Sequence, residues 1–440
     1  MLQRKGVSTE TAVDDIAVYR EGVRVMRERS NRDPMDPLGW VYQSRIHGNP
    51  RGAERQPDEP VDWSSCQHGS WFFLPWHRMS LLQFERIIQA ATGEPEWALP
   101  YWDYPDASNV TIPDAFLDES SSLFQPGRDF RPREFAPPSW QDSGSFIAFG
   151  GGARETPVHR GQELGSLELN PHNVVHGVVS GAMASFQSPL DPLFYIHHCA
   201  IDRFWEVWLT LGDRRNPDKD SWLGSSFSFP DPEAPNGRRV LFVRDVQTAA
   251  AAGYCYADLT PPSSAMERKT MAQPSERERT GMIPQMAPRR KDEDLELLGA
   301  TSRGGTVRDR AEIGVAADAL ERRRSHLADE AARGAEAGPL PLLLRLENVG
   351  IEAGDASSMW NVYVRAGGEG ERHLAGTIAP FGLAGLTAEG GRQTLTMDIS
   401  HLSDELLGAG GALEVTFESV YDDAEGEPFY DRAALYTTAE

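Results

Sequence analysis

Apolar residues return at one-turn spacing in three early stretches of the chain. From Val13 to Met26 the side chains of Ile16, Tyr19, Val23 and Met26 fall on one face, which predicts an amphipathic helix ended by the turn signals Asp33-Pro34 and Asp36-Pro37. Leu38 to His47 predicts a second helix, stopped at Gly48. The strongest pattern runs from Trp76 to Ala91, where Met79, Leu81, Leu82, Phe84, Ile87 and Ile88 make a broad apolar face, His77 stands at the opening and Gly93-Glu94-Pro95 closes it. Residues 103–165 are rich in Pro, Gly, Ser and Asp and lack a period, so long loops over a helical scaffold are expected. Helices resume at about Pro171 to Val179 and Asp191 to Leu211.

After Asp258 the pattern changes. Residues 259–293 hold Pro261, Pro262, Pro274, Pro284 and Pro288 among mixed charges and no aromatic residue, the composition of a protease-accessible linker. Beyond it, alternation takes over in LLLRLENV (342–349), MWNVYVRA (359–366), QTLTMDI (393–399) and LEVTFESV (413–420), which predict antiparallel strands, with a charged helix at 319–334 ahead of them. The expected organisation is a mainly helical domain at 1–258, a linker at 259–293 and a β-rich domain at 294–440, and a chain of 440 residues is long enough for two cores.

Charge and cysteine count narrow the function classes. A net charge of -23 offers no basic face for phosphates, so no nucleic-acid partner is expected. Cys66, Cys199 and Cys255 are too few and too scattered for a disulfide framework or a four-thiolate zinc site. No apolar run is long enough for a signal peptide or a membrane span, which leads to the expectation of a cytoplasmic protein without a membrane partner, export by a signal-bearing partner staying open.

The chemistry lies in the histidines, eight of eleven of which precede residue 200. A lone buried histidine is usually an ordinary core residue; spacing changes that. His172 and His176 in PHNVVHG stand four apart, on one helix face, where they can share an ion. The same spacing binds zinc in HExxH, but Asn173 stands here where that motif needs its glutamate base. His68 and His77 flank the apolar SWFFLPW, and DPLFYIHHCAID brings His197, His198 and Asp202 to helical spacing, so that one of the two histidines can point inward. Three neutral imidazoles per ion leave an open position for oxygen and suit copper, and two ions held roughly 3.5 to 4 Å apart can clamp both atoms of O2. A histidine set without thiolate or carboxylate ligands is unusual for zinc, calcium or non-haem iron.

These segments resemble the type 3 copper family of tyrosinases, catechol oxidases and polyphenol oxidases, with haemocyanins as distant relatives. HGSWFFLPWHRMSLLQFE from His68 to Glu85 is similar to the family's first-copper signature and DPLFYIHHCAID to its second, with RIHG before and PHNVVHG between; the likeness spans residues 15–210 and is fainter in the strand-rich part. It implies a four-helix bundle holding two copper ions, O2 as co-substrate and a β-sandwich-like C-terminal domain, as in a bacterial-like member of the family. Position by position it makes His47, His68 and His77 the ligands of one copper and His172, His176 and His198 those of the other, with His197 outside the ligand set. Glu85, Arg78, Asp191 and Asp202 become structural or orienting groups. Cys66, two residues before His68, matches a cysteine that in some members forms a thioether to the ligand histidine; a small buried apolar role is the alternative.

The resemblance also frames the reaction. At pH 7 a phenol of pKa ~10 costs roughly 4 kcal/mol to ionise, so a base beside the metals helps. GSLELNPHN puts Glu168 four residues before His172 and Asn173 directly after it, the placement of a glutamate and asparagine that hold a proton-accepting water in similar enzymes; Glu163 competes for the role at a longer spacing. Phe186 lies near the position of an aromatic gate, and Gly177 leaves room at the mouth without supplying a cation. The C-terminal domain is similar to one that keeps relatives latent, with cleavage expected near Arg289 to Lys291. The expected function is oxidation of o-diphenols to o-quinones, with hydroxylation of monophenols permitted. An o-aminophenol oxidase in a biosynthetic pathway, haemocyanin-like O2 binding without turnover and a histidine-rich zinc hydrolase are the alternatives. The expected partners are a small phenolic substrate, an activating protease and a copper-delivery protein.

Overall fold

The computed structural model describes all residues except 50–54, 105–109, 132, 134, 137, 263–294, 319–320, 322–324, 326–341, 353–358, 368–369, 380, 382, 384–386, 388–389, 409–411, 422–425 and 439–440. Most of the expected linker, Arg289 to Lys291 and nearly all of the charged stretch 319–334 therefore lie outside the described residues.

The helical half is built from α1 (Val13–Arg32), α2 (Trp40–His47), α3 (Phe73–Thr92), α4 (Phe146–Gly150), α5 (Val174–Val179) and α6 (Leu193–Thr210). α3 and α6 form its centre. Almost every residue of α6 is buried, and Phe84 of α3 stacks on Tyr195 of α6 with ring centroids 3.6 Å apart, so these two histidine-bearing helices are locked together by aromatic packing. α1 packs across α3 through Ile16, Tyr19, Val23 and Met26, the face that the sequence pattern marked. One close approach requires glycine there: a Cβ on Gly22 would stand 2.5 Å from a methyl carbon of Ile88.

The sequence boundaries hold with two corrections. α3 begins at Phe73 rather than Trp76, because Pro75 is tolerated in a first turn where its missing N–H has no helical partner, and His77 consequently sits one turn inside the helix rather than at its opening. α2 stops at Gly48 as expected, but with extended backbone (φ -161°) rather than a left-handed stop. Glycine is needed there for a different reason: a Cβ would meet the Cβ of Phe186 at 2.3 Å.

The C-terminal half contains two antiparallel sheets. One runs β5 (Leu295–Ala300), β14 (Arg432–Thr438), β8 (Leu343–Glu352), β13 (Glu427–Tyr430) and β6 (Gly305–Thr306), with β11 (Gln393–Asp398) also pairing β8; the other runs β10 (His373–Ile378), β9 (Trp360–Ala366), β12 (Ala412–Ser419) and β7 (Ala311–Gly314). Their inner faces share one apolar core, Leu344, Leu346 and Leu435 from the first sheet meeting Val362, Val364 and Val415 from the second. All four segments predicted from alternation are strands. Leu164 and Leu169 of the helical half join this core, so the halves are packed against one another.

Two strands of the helical half, β1 (Leu2–Arg4) and β4 (Tyr254–Tyr256), pair in parallel and bring Arg4 into the interior. Arg4 donates to Glu85 (2.7 Å) and Asp202 (3.1 Å), while Arg78 donates to Asp202 (2.6 Å) and Glu206 (2.7 Å). Tyr254 and Tyr256 donate to Asp202 as well. These charges, all buried except the partly exposed Glu206, clamp α3 to α6 and both to the chain ends of this half. Glu85, Arg78 and Asp202 thus act on helix placement, and none of them makes a recorded hydrogen bond to a histidine among the described residues. Burial is compensated because every carboxylate meets a guanidinium; removing one partner would strand the other, at a cost of about 3–5 kcal/mol. Asp191 is structural too: it pairs with Arg128 (2.6 Å) and its side chain accepts from the Leu193 N–H (2.9 Å) at the start of α6.

Candidate metal centre

His47 ends α2, His68 lies in the segment before α3, His77 is on α3, His172 and His176 come from the kinked π-helical segment Glu168–Asn173 and α5, and His197 and His198 lie on α6. All seven rings are buried and converge. His47 and His68 face each other Nε2 to Nε2 at 3.3 Å, and so do His176 and His198 at 3.3 Å. His77 bridges the two halves: its ring lies 5.2 Å from that of His68 and stacks on His198 at 4.3 Å.

Hydrogen bonds on the far side of the rings fix what the near side presents. His47 Nδ1 donates to the Phe186 carbonyl (2.8 Å), His77 Nδ1 to the Phe73 carbonyl (2.8 Å) and His176 Nδ1 to the Met183 carbonyl (2.6 Å). A carbonyl oxygen only accepts, so each Nδ1 carries the hydrogen. His172 Nδ1 pairs with Asn173 Oδ1 (2.8 Å) and His68 Nδ1 with Glu168 Oε1 (2.8 Å). Burial lowers His47 and His172 to a pKa of about 3, and lowers His68, His77, His176 and His198 well below the ordinary value. Neutral rings protonated on Nδ1 direct Nε2 lone pairs inward. The Nε2 atoms of His77 and His172 have no hydrogen-bond partner among the described residues. Lone pairs gathered in a dry pocket repel unless a cation stands among them, so the donor set fits metal binding, and imidazole nitrogens with outer hydrogen bonds of this kind fit copper.

Ligand nitrogens of His172, His176, His197 and His198 all lie within 4.8 Å of one another. Both α6 histidines approach the second group, so proximity alone does not choose between His198, the expected ligand, and His197, expected just outside the ligand set. They differ in attachment: His197 Nδ1 faces the Tyr104 hydroxyl at 3.0 Å, whereas His198 meets His176 and stacks on His77. A further group combines His47, Cys66 and His68. Cys66 is buried, which pushes its thiol pKa up, and its Sγ also lies 3.4 Å from His159 Nδ1, a histidine that the sequence motifs passed over.

Glu168 and Asn173 line one narrow cleft against the histidines, together with His68, Arg160, Leu164, Phe186, Phe381 and Gln393. Glu168 also accepts from the Gly69 N–H (2.9 Å), and burial raises its carboxyl pKa well above normal despite that bond. Glu163 is not among the residues lining this cleft; its backbone pairs with Gly69 (3.1 Å) and bridges to Thr394, and its side chain lies beside Gly152.

Phe186 holds His47 through its carbonyl, and its ring lies 5.9 Å from His68. The residue that the sequence did not mark is Phe381, from the connection after β10. Its ring stacks on His176 at 4.0 Å with planes 17° apart and lies 5.6 Å from His172 and 5.8 Å from His68. It is buried, so the C-terminal half puts an apolar ring directly over the histidines. Gly177 gives no open mouth: a Cβ there would stand 3.0 Å from Sδ of Met359, also from the C-terminal half.

The comparisons with known proteins agree with this arrangement. The common central domain of tyrosinase matches residues 37–147 and 139–211. Tyrosinase HcTyr1 of Hahella sp. (strain CCB-MM4) is 32% identical over 438 aligned residues, covering 87% of this chain and 88% of that protein. The chain belongs to the tyrosinase family. Catechol oxidase B, chloroplastic, of Solanum tuberosum is 30% identical over 285 residues, 56% of this chain, and this match spans about half of that longer plant protein (47%). Among solved structures, a latent aurone synthase (polyphenol oxidase) superposes with a TM-score of 0.66 at 19% identity, covering 100% of this chain and 90% of that one, which shows a shared fold including the β-rich half. A functional unit of octopus hemocyanin shares the fold at a TM-score of 0.55 and 16% identity, with both chains covered in full (100%). Among the described residues, no helix is long and apolar enough to cross a membrane.

Proposed function

We propose that this member of the tyrosinase family is a copper oxidoreductase that oxidises o-diphenols to o-quinones with O2, and that it accepts monophenols for hydroxylation. The observation that carries the reading is the inward convergence of neutral, Nδ1-anchored imidazoles in two adjoining groups. His47, His68 and His77 would hold one copper and His172, His176 and His198 the other, with His198 preferred over His197 because the Tyr104 hydroxyl engages His197. When bound, the copper pair supplies the electron-transfer chemistry with O2. Each catechol gives up two electrons and two protons, and two catechols reduce one O2 to two waters.

The chain's own groups orient and deprotonate. The Phe186, Phe73 and Met183 carbonyls fix three imidazoles, and Asn173 fixes His172. Glu168 orients His68 and, lining the same cleft as Asn173, stands where an incoming phenol must lose its proton. Burial favours the protonated carboxyl, so Glu168 becomes a strong proton acceptor once ionised. Phe186 is positioned as a gate ring. Cys66 is placed for a thioether to His68, with the hydrogen bond to His159 as its competing state.

Residues 294–440 act as a latency lid, with Phe381 occupying the space a substrate ring would take and residues 259–293 serving as the cleavable connection. Catechol, monophenol and o-aminophenol turnover by the copper-loaded chain, before and after verified removal of residues 294–440, tests this. A rise in turnover on removal supports the lid. An undiminished full-length rate sinks it, and preferred turnover of o-aminophenols would move the assignment to that reaction.

A further inference from the structure

Resting on that reading, we propose that Arg160 is a specificity-determining residue that binds the carboxylate of a phenolic acid, so that the enzyme prefers phenols carrying a short acidic side chain over neutral ones. Arg160 is the only cationic side chain among the described residues lining the cleft, and its guanidinium carbon lies 3.8 Å from the ring centre of Phe186. The Phe186 ring is in turn 5.9 Å from that of His68, so the guanidinium is at most the sum of those distances from the His68 ring. A ring seated at the histidines would extend a carboxylate on a chain of a few carbons into that range.

The placement of Arg160 is rigid at the backbone. Arg160 forms a bridge with His68, the Gly161 N–H donates to the His68 carbonyl (2.6 Å), and the Glu163 N–H donates to the Gly69 carbonyl (3.1 Å). Glycine is essential to this contact, since a Cβ on Gly161 would stand 1.9 Å from the Gly69 oxygen. The residue that carries the cation is thus held in register with a ligand histidine.

Chemistry favours a carboxylate as the ligand. A guanidinium offers a planar fork matched to two carboxylate oxygens, and its contact with the Phe186 ring holds it beside the cleft. The protein as a whole carries a net charge of -23 and repels anions, so an anionic phenol would need a local cation to be held.

The test uses the copper-loaded full chain with F381A, which vacates the cleft, alone and combined with R160Q or R160K. The substrates are 3-(3,4-dihydroxyphenyl)propanoate and its neutral amide. R160Q is expected to lower kcat/KM for the acid by about tenfold or more, mainly through KM, and to leave the amide within about twofold, with R160K recovering part of the loss. The same acid-to-amide ratio is measured in Kd by calorimetry, without turnover. An acid-to-amide ratio that R160Q leaves unmoved overturns the carboxylate anchor, as does an equal loss for both compounds. If neither compound is oxidised, phenol oxidation fails as the activity, while the Kd ratio still decides the anchor.

Discussion

The histidine cradle and the β-rich half that covers it are built on opposite terms. The cradle is assembled from short local motifs in which five imidazoles, those of His47, His68, His77, His172 and His176, are tied at Nδ1 to a nearby oxygen, and it leaves lone pairs that a cation must balance. The cover is a regular pair of sheets that reaches the site through irregular segments, Phe381 over the histidines and Met359 against Gly177, with a main-chain contact at its edge from the Thr394 N–H to the Gln162 carbonyl at 2.8 Å. A site held by many fixed bonds loses function when one ligand goes. A cover that meets the helical half through several separate contacts, among them Phe381, the Thr394 edge and the bonds of Thr377 to Ala136 and of Tyr421 to Arg131, is expected to yield in smaller steps.

The largest effect should come from the cradle itself. H176A removes a ligand nitrogen and is expected to lower catechol oxidation by more than about 100-fold and to halve bound copper, read by oxygen uptake and elemental analysis. Next comes acid. In the metal-free protein the folded-state pKa values of His47 and His172 are about 3, below the unfolded value of ~6.5. Between those values the unfolded chain binds protons that the folded chain refuses, so stability should fall as pH drops from 6.5 toward 3. Thermal melts across that window check it, and copper saturation should shrink the effect at its upper end by stabilising the neutral rings.

N173A leaves His172 Nδ1 without its acceptor and should weaken copper binding at that group by about 10–100-fold, measured by competition with a chelator. The cover yields to F381A. Deleting a buried phenyl group typically costs about 3–5 kcal/mol, enough to shift the lid toward open, and the full chain should gain about tenfold or more in catechol turnover. T394P removes the single N–H donated to Gln162 and should raise turnover by a smaller factor, about fivefold, since one hydrogen bond is worth about 1 kcal/mol. If T394P exceeds F381A, the edge contact and not the ring is the main closure.

The same contrast governs what could be read from the sequence. Helices α1, α2, α3 and α6 followed from apolar period because each buries one broad face, and β8, β9, β11 and β12 followed from alternation because each has one face in the shared core. The histidines were legible because chemistry requires them at helical spacing or flanking a wall of apolar residues. The remaining features have no local signal. Phe381 matters through contact with His176, 205 positions away in the chain, and nothing in its neighbours sets it apart from any other loop aromatic. Arg4 lies among the first residues and reads as surface charge, yet it is buried between Glu85 and Asp202. Gly48 and Gly177 look like a helix stop and an open mouth, and are small because Phe186 and Met359 crowd them. Both α6 histidines fit the spacing, and only their partners, Tyr104 for one and His176 for the other, separate them.

The central claim is that two adjoining histidine groups hold a copper pair for O2 chemistry. It is tested most directly by titrating the metal-free full chain with copper and recording metal content together with oxygen uptake on a simple catechol. The account predicts saturation at two coppers per chain and catechol-dependent uptake that rises only as the second site fills. Saturation at one ion, retention of zinc in preference to copper, or two bound coppers with no uptake even when F381A clears the cleft would contradict it.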